Sequence, residues 1–282
     1  MTRPMTARLL RSAVVLALVG VTAARARPLS PAELAEVVKT IDDRQRNSGD
    51  YRALAYLEQK EKDKTDTARE AVLYRRSDDQ KLMILFTKPK GEAGKGYLRL
   101  EKNLWSYDPT TGKWDRRTER ERIAGTDSRR ADFDESRLAE EYTATFAGEG
   151  RLGDFDTWIV DCKVKPGVDV AFPVLKLWVD QASGNVLKRQ EFALSGRLMR
   201  TSYYPSWKKL YSESKRADVW YPGEIRIYDE VEKTNSTVVV FKSVDLRPLE
   251  SNIFTKAWLA SVLIGLQCAA YMGKSRYLAS RR

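Results

Sequence analysis

The sequence contains no histidine and only two cysteines in 282 residues. Without an imidazole, a Ser-His-Asp or Cys-His relay, a histidine metal ligand and a histidine pH switch are all excluded. Two thiols are too few for a zinc site built on cysteine alone. We therefore expect no metal and no cofactor. The chemistry left open is that of carboxylates, lysines or tyrosines, or none at all. Charge is plentiful but uneven: 50 Lys and Arg against 39 Asp and Glu give a net charge of +11. No nucleic-acid motif accompanies this excess, and basic and acidic residues alternate along the chain, so nucleic acid is not an expected partner.

The N-terminus reads as an export signal. Arg3, Arg8 and Arg11 form a basic segment, Ser12 to Ala24 carry no charge, and Ala24-Arg25-Ala26 is an A-x-A cleavage site followed by Pro28. The alternative is an uncleaved anchor, for which the run is short. Cleavage after residue 26 removes four arginines and no acid, which leaves +7. The expected location is the periplasm. At the other end, Ala257 to Gly273 carry no charge and are followed by Lys274, Arg276, Arg281 and Arg282. That segment is at the lower limit of a membrane span, and Ser261, Gly265 and Gln267 dilute it. We expect a packed or groove-lying helix, with a membrane tether as the alternative. Cys162 and Cys268 are expected as buried, unpaired thiols, with a single disulfide left open.

Between these ends the pattern is strand after strand. A helix starts at Ser30-Pro31-Ala32-Glu33, where Ser30 and Glu33 form a capping box and Pro31 needs no amide partner. Its apolar stripe is Leu34, Val37, Val38 and Ile41, and Asn47-Ser48-Gly49 ends it. From Tyr51 to about Leu246 apolar residues alternate with charged ones such as Lys81, Arg99, Glu101, Asp161, Lys163, Lys176 and Arg226. Period two with one wet face predicts an antiparallel sheet. Turns at 101–103, 108–112, 181–185 and Ser195-Gly196 separate the runs. About eleven to thirteen strands are too many for a flat open sheet, so the sheet should curl into a half-barrel. Asp132 to Tyr142 reads as a short helix capped by Asp132. The predicted fold is thus mainly β (α+β): one curved antiparallel half-barrel over residues 27–256, with an N-terminal helix, a short mid-chain helix and a helical tail over 257–282 lying on the concave face.

Several segments resemble the LolA-like outer-membrane lipoprotein-sorting family. They are Gly96-Tyr97-Leu98-Arg99-Leu100, Asn103 to Pro109, and Ile123 through Gly125 to Asp132-Phe133. Leu177-Trp178-Val179-Asp180 with Ser183-Gly184 and Leu187-Lys188 is similar to that family's W-I/V-D … T-G … L-K hairpin. Pro222 to Ile227 with Lys233-Thr234, and Asn252-Ile253-Phe254 with Leu259, complete the likeness over roughly residues 30 to 259. The family's F-M-G-S-D-F is reduced here to Gly125 to Phe133, and the tail runs past the usual end. The resemblance implies a half-barrel that takes acyl chains of lipoproteins or another lipid into an apolar groove and carries them between membranes, without catalysis. The positive charge of +7 points to an anionic membrane surface as a further partner, with ordinary solubility as the alternative, and an inner-membrane transporter is the other partner expected.

Such a groove should be lined by the alternating apolar sets and be free of buried polar anchors. The candidates are Leu82, Ile84, Phe86, Leu98, Leu100, Trp105, Trp158, Val160, Leu177, Ile225, Ile227, Val238 and Val240; plain core packing is the alternative for each. Two other functions compete. A carboxylate hydrolase would use Asp127, Asp132, Asp134 and Glu135, although acids at a helix start are ordinarily caps. A membrane-tethered accessory module of an envelope transporter would use the 257–273 segment.

Overall fold

Helix α1 (Pro31–Gln45) begins where its capping box lies: Glu33 N donates to Ser30 Oγ, and Ser30 N donates to the Glu33 carboxylate. Leu34, Val38 and Ile41 on one face are buried against the sheet. The computed structural model describes residues 28–262. The export signal expected at 1–26, Cys268 and most of the 257–273 run lie outside the described residues. No helix among them is long and apolar enough to cross a membrane.

The strands are β1 (Asp50–Lys60), β2 (Thr67–Arg76), β3 (Lys81–Lys88), β4 (Gly96–Leu100), β5 (Asn103–Asp108), β6 (Lys113–Arg117), β7 (Tyr142–Leu152), β8 (Phe155–Val164), β9 (Val174–Asp180), β10 (Val186–Phe192), β11 (Leu198–Ser212), β12 (Ala217–Asp229) and β13 (Ser236–Asp245). They form one 13-stranded antiparallel sheet, curved but not closed into a barrel. Its order runs β6 back to β1, crosses to β13, and runs back to β7. The two edges, β6 and β7, are consecutive in the chain. The segment that joins them, residues 118–141, must therefore travel from one edge of the sheet to the other. It does so over the inner face, the face that also carries α1, and we call it the strap.

The strap is less regular than the single short helix expected there. It holds two 3-10 turns, Ile123–Gly125 and Arg130–Asp132, and one turn of α-helix, α2 (Leu138–Glu141). Helix α2 is capped from another element. Asp42 on α1 accepts from Leu138 N at 2.9 Å, Ala139 N at 2.8 Å and Ser136 Oγ at 2.5 Å, so its carboxylate meets the free amides and positive end of the turn. Asp132, expected as the cap, lies a turn and a half upstream and does something else.

Both faces of β3 are buried. Leu82, Ile84 and Phe86 face the inner core with α1, while Met83 and Leu85 face outward under Ile253, Phe254 and Leu259. The described start of the C-terminal helix therefore lies on the outer face, not over the concave one as expected. Its approach to the sheet depends on Gly96, where a Cβ would stand 2.8 Å from the Ile84 carbonyl oxygen and 2.9 Å from a Leu259 methyl. Asp50 fastens the run-up to this segment by pairing with Arg76 at 2.6 Å and accepting from Leu249 N at 2.6 Å.

Candidate functional site

The inner face and the strap enclose a cavity of about 110 Å³. Its apolar wall comes from α1 (Ile41), the sheet (Tyr51, Leu177, Tyr204, Trp207, Ile225, Phe241), the strap (Phe133, Leu138) and the β8–β9 loop (Val170, Phe172). Tyr204 and Trp207 stack with centroids 5.8 Å apart, and the Trp207 indole donates to the Val186 carbonyl at 2.8 Å.

The strap is fastened to the inner face by side chains rather than by a backbone ladder. Asp132 accepts two hydrogen bonds from Arg200 on β11 and one from Arg189 on β10 at 2.6 Å. Asp134 accepts from Arg99 on β4 at 2.9 Å and pairs with Arg130. Asp127 meets Arg122 at 2.9 Å and the Thr237 hydroxyl at 3.0 Å. Backbone groups of the strap add to it: Ala124 N donates to the Tyr97 hydroxyl, Asp127 N donates to the Thr237 hydroxyl, and the Gly125 and Asp127 carbonyls accept from Gln59 and Arg200. Burial raises the carboxyl pKa of Asp132 and Asp134, but the adjacent guanidinium groups outweigh it and hold both below the usual range. At Asp127 burial wins and its pKa is raised. A groove without buried polar anchors is thus not what the chain builds. A strap crossing an apolar face leaves backbone and carboxylates with no water, and each must find a partner there.

The candidate lining residues separate by face. Leu177 and Ile225 reach the cavity wall. Leu82, Ile84, Phe86, Val160 and Ile227 are buried in the same core, and Trp158 packs at its margin. Leu98 and Leu100 lie in the outer cluster under the C-terminal segment, and Trp105 carries Lys256 over its ring at 3.7 Å. Arg99, expected on the wet face, is instead 3% exposed on the inner face, because its ion pair with Asp134 is there. On β13 the inner residues are Thr237, Val239 and Phe241, all buried, so Val238 and Val240 point outward and stay half-exposed. The wall residues missed in the sequence, Phe133, Phe172, Tyr204 and Trp207, sit in irregular segments or beside the β11 bulge near Pro205, where alternation breaks. Cys162 is buried and unpaired among the described residues, with its thiol pushed up to about 12 by burial.

Comparisons with known proteins agree on the architecture. A family described as "Uncharacterized protein"-like matches residues 78–261, more than half of the chain. The chain belongs to that family. No curated protein matches it. Among solved structures, a LolA superfamily protein from Nitrosomonas europaea is 18% identical, with a TM-score of 0.68, covering 80% of this chain and 98% of its own. A domain named for outer membrane lipoprotein sorting, from Vibrio parahaemolyticus, is 18% identical with a TM-score of 0.70, covering 81% and 99%. A DUF1329 family protein from Desulfovibrio piger is 16% identical with a TM-score of 0.70, covering 80% and 97%. The fold is LolA-like.

Proposed function

We propose that the protein is a periplasmic carrier that holds acyl chains of lipoproteins or another lipid between its inner face and its strap, and moves them between membranes. The observation behind this reading is the construction of the interior. Apolar residues of the sheet and of the β8–β9 loop, with Arg189 and the buried Glu191 and Arg200 among them, bound a space whose lid is a strap fastened by side chains, so the lid can leave without breaking the sheet. The LolA-like fold supports the same reading. Each methylene kept from water is worth about 0.8 kcal/mol, so a sixteen-carbon chain costs on the order of 12 kcal/mol to carry bare. A carrier replaces that burial.

The space of about 110 Å³ is smaller than the roughly 150 Å³ that admits benzene. This is the shut form, and loading requires the strap to swing out. The carboxylates that a hydrolase would use support this division of labour: Asp127, Asp132 and Asp134 are each met by an arginine and hold the strap. Organic extraction of the native protein, followed by mass spectrometry, should release acyl lipid, and a hydrophobic fluorescent probe should bind saturably. An empty extract together with no probe uptake would end the carrier reading.

A second reading, a tethered module of an envelope transporter, draws on the helix that starts at Lys256 and leads into the uncharged 257–273 run. Retention of the protein in membranes after a carbonate wash supports it, and release argues against it.

A further inference from the structure

Most arginines of the interior are paired. Arg200 and Arg189 both bind Asp132 and Glu191, and Arg122 bridges Asp127 and Asp229. Arg129 differs. Among the described residues no carboxylate oxygen lies within 4.0 Å of its guanidinium. Its Nε is buried with no hydrogen-bond partner. The group rests 5.9 Å from the centroid of Phe172. Burial, then repulsion from Arg200 and Arg122, lowers its pKa to about 10, so it stays charged at neutral pH. Arg129 as a whole is only partly buried, and of its guanidinium nitrogens Nε alone is buried without a partner, so the cation stands at the cavity rim with its fork unpaired, as an anion-binding site holds one before its ligand arrives.

The position of Arg129 is equally specific. It lines the interior cavity and also a second one of about 170 Å³, bounded by Arg122, Met199, Asp229 and Val231. Phe172 and Arg200 line both as well. Two acids of the second cavity are already met: Asp229 accepts from Arg122 and from the amides of Val231 and Glu232, and Asp127 accepts from Arg122 and Thr237, while the third, Glu232, is exposed to solvent. The free donors at the junction are those of Arg129, and a guanidinium fork fits a carboxylate or phosphate in two parallel hydrogen bonds.

We propose that Arg129 receives the oxyanion headgroup, carboxylate or phosphate, of an anionic amphiphile whose hydrocarbon occupies the apolar interior. This rests on the carrier reading and adds to it the charge of the cargo and the residue that reads it.

The test compares three probes with one chain length: palmitate, hexadecyl phosphate and hexadecanol, each displacing a neutral hydrophobic dye from the full-length protein. The wild type should bind at least one of the two anions roughly tenfold or more tighter than the alcohol, and Arg129→Gln should collapse that ratio towards one. The order of palmitate and hexadecyl phosphate tells which headgroup fits. Equal binding of all three by wild type, or a ratio unmoved in Arg129→Gln, overturns the headgroup assignment and leaves the carrier reading standing. Binding of none of them also overturns the headgroup assignment, and only if the dye is not taken up either and the extract is empty does the carrier reading itself fall. A measurement on wild type needs no variant: the carbon-13 carboxyl signal of bound, labelled palmitate should titrate below its value in an uncharged micelle. Titration above that value also overturns the assignment.

Discussion

Asp132 and Arg200 face each other inside the sheet through two hydrogen bonds, Nη1 to Oδ2 at 2.6 Å and Nη2 to Oδ1 at 3.0 Å. One belongs to the strap and the other to β11, so this pair ties the lid to the sheet. Removing the charge by Asp132→Asn leaves Arg200 and Arg189 short of an anion in a dry site. Breaking a buried pair in this way costs about 3–5 kcal/mol. Urea unfolding should show that loss as a lower midpoint, and an unchanged midpoint would mean that the strap is held mainly by apolar packing.

The same pairs set a pH dependence. Asp132 and Asp134 have folded-state values below the ordinary carboxylate range. An unfolded Asp titrates near 3.9, so the stabilisation is complete above about pH 5 and is lost as pH falls through the lowered folded values. Asp127, raised by burial, contributes with the opposite sign and softens the fall. The melting temperature should therefore drop below about pH 4, and drop less steeply in Asp132→Asn. A wild-type profile flat from pH 6 to 3 would contradict the assignment of these groups as the fasteners.

How far the fold and the site could be read from the chain depends on which residues are considered. Helix α1 was legible because its cap and stripe are local. The sheet was legible because turns punctuate the strands. The inner face of β4 was not: Leu98 and Leu100 look like core and Arg99 like surface. Their roles are exchanged because a C-terminal segment about 150 residues away covers the leucines and Asp134 receives the arginine. The strap was misread for a related reason. Its acids are spaced like helix caps, and only the topology, which sends residues 118–141 across the inner face, shows what they must bind.

β13 makes the point testable. Thr237 to Phe241 is too evenly apolar for alternation to choose a face, and a one-residue error inverts every side chain. Val238 is half-exposed and Val239 is fully buried. Val238→Lys should change stability by no more than about 0.5 kcal/mol, whereas Val239→Lys should abolish cooperative folding. Circular dichroism melts of the two variants would reverse if the register were displaced by one.

Gly96 is where the tail meets the sheet. An added methyl would press on the Ile84 carbonyl oxygen, which the β3–β4 ladder holds in place, and on Leu259, which can yield only by lifting the C-terminal segment. Gly96→Ala should cost about 1–3 kcal/mol, the usual range for overpacking. Limited proteolysis should then cut within residues 253–262 before the sheet unfolds. Protection equal to wild type would show that the segment is held by Asp50 and Arg76 alone.

Filling the cavity separates a carrier from a protein that merely has a core. Ala171, in the β8–β9 loop, is half-buried and lines the interior beside Phe172. Ala171→Phe places a ring in a space slightly smaller than one that admits benzene, so the side chain takes the volume from which an acyl chain would start. No sheet hydrogen bond and no ion pair depends on Ala171, and the fold should survive with a melting temperature within a few degrees of wild type. Dye uptake and co-purified lipid should both fall severalfold. If the folded variant takes up dye and lipid as wild type does, hydrocarbon binds elsewhere, and the space under the strap is ordinary core.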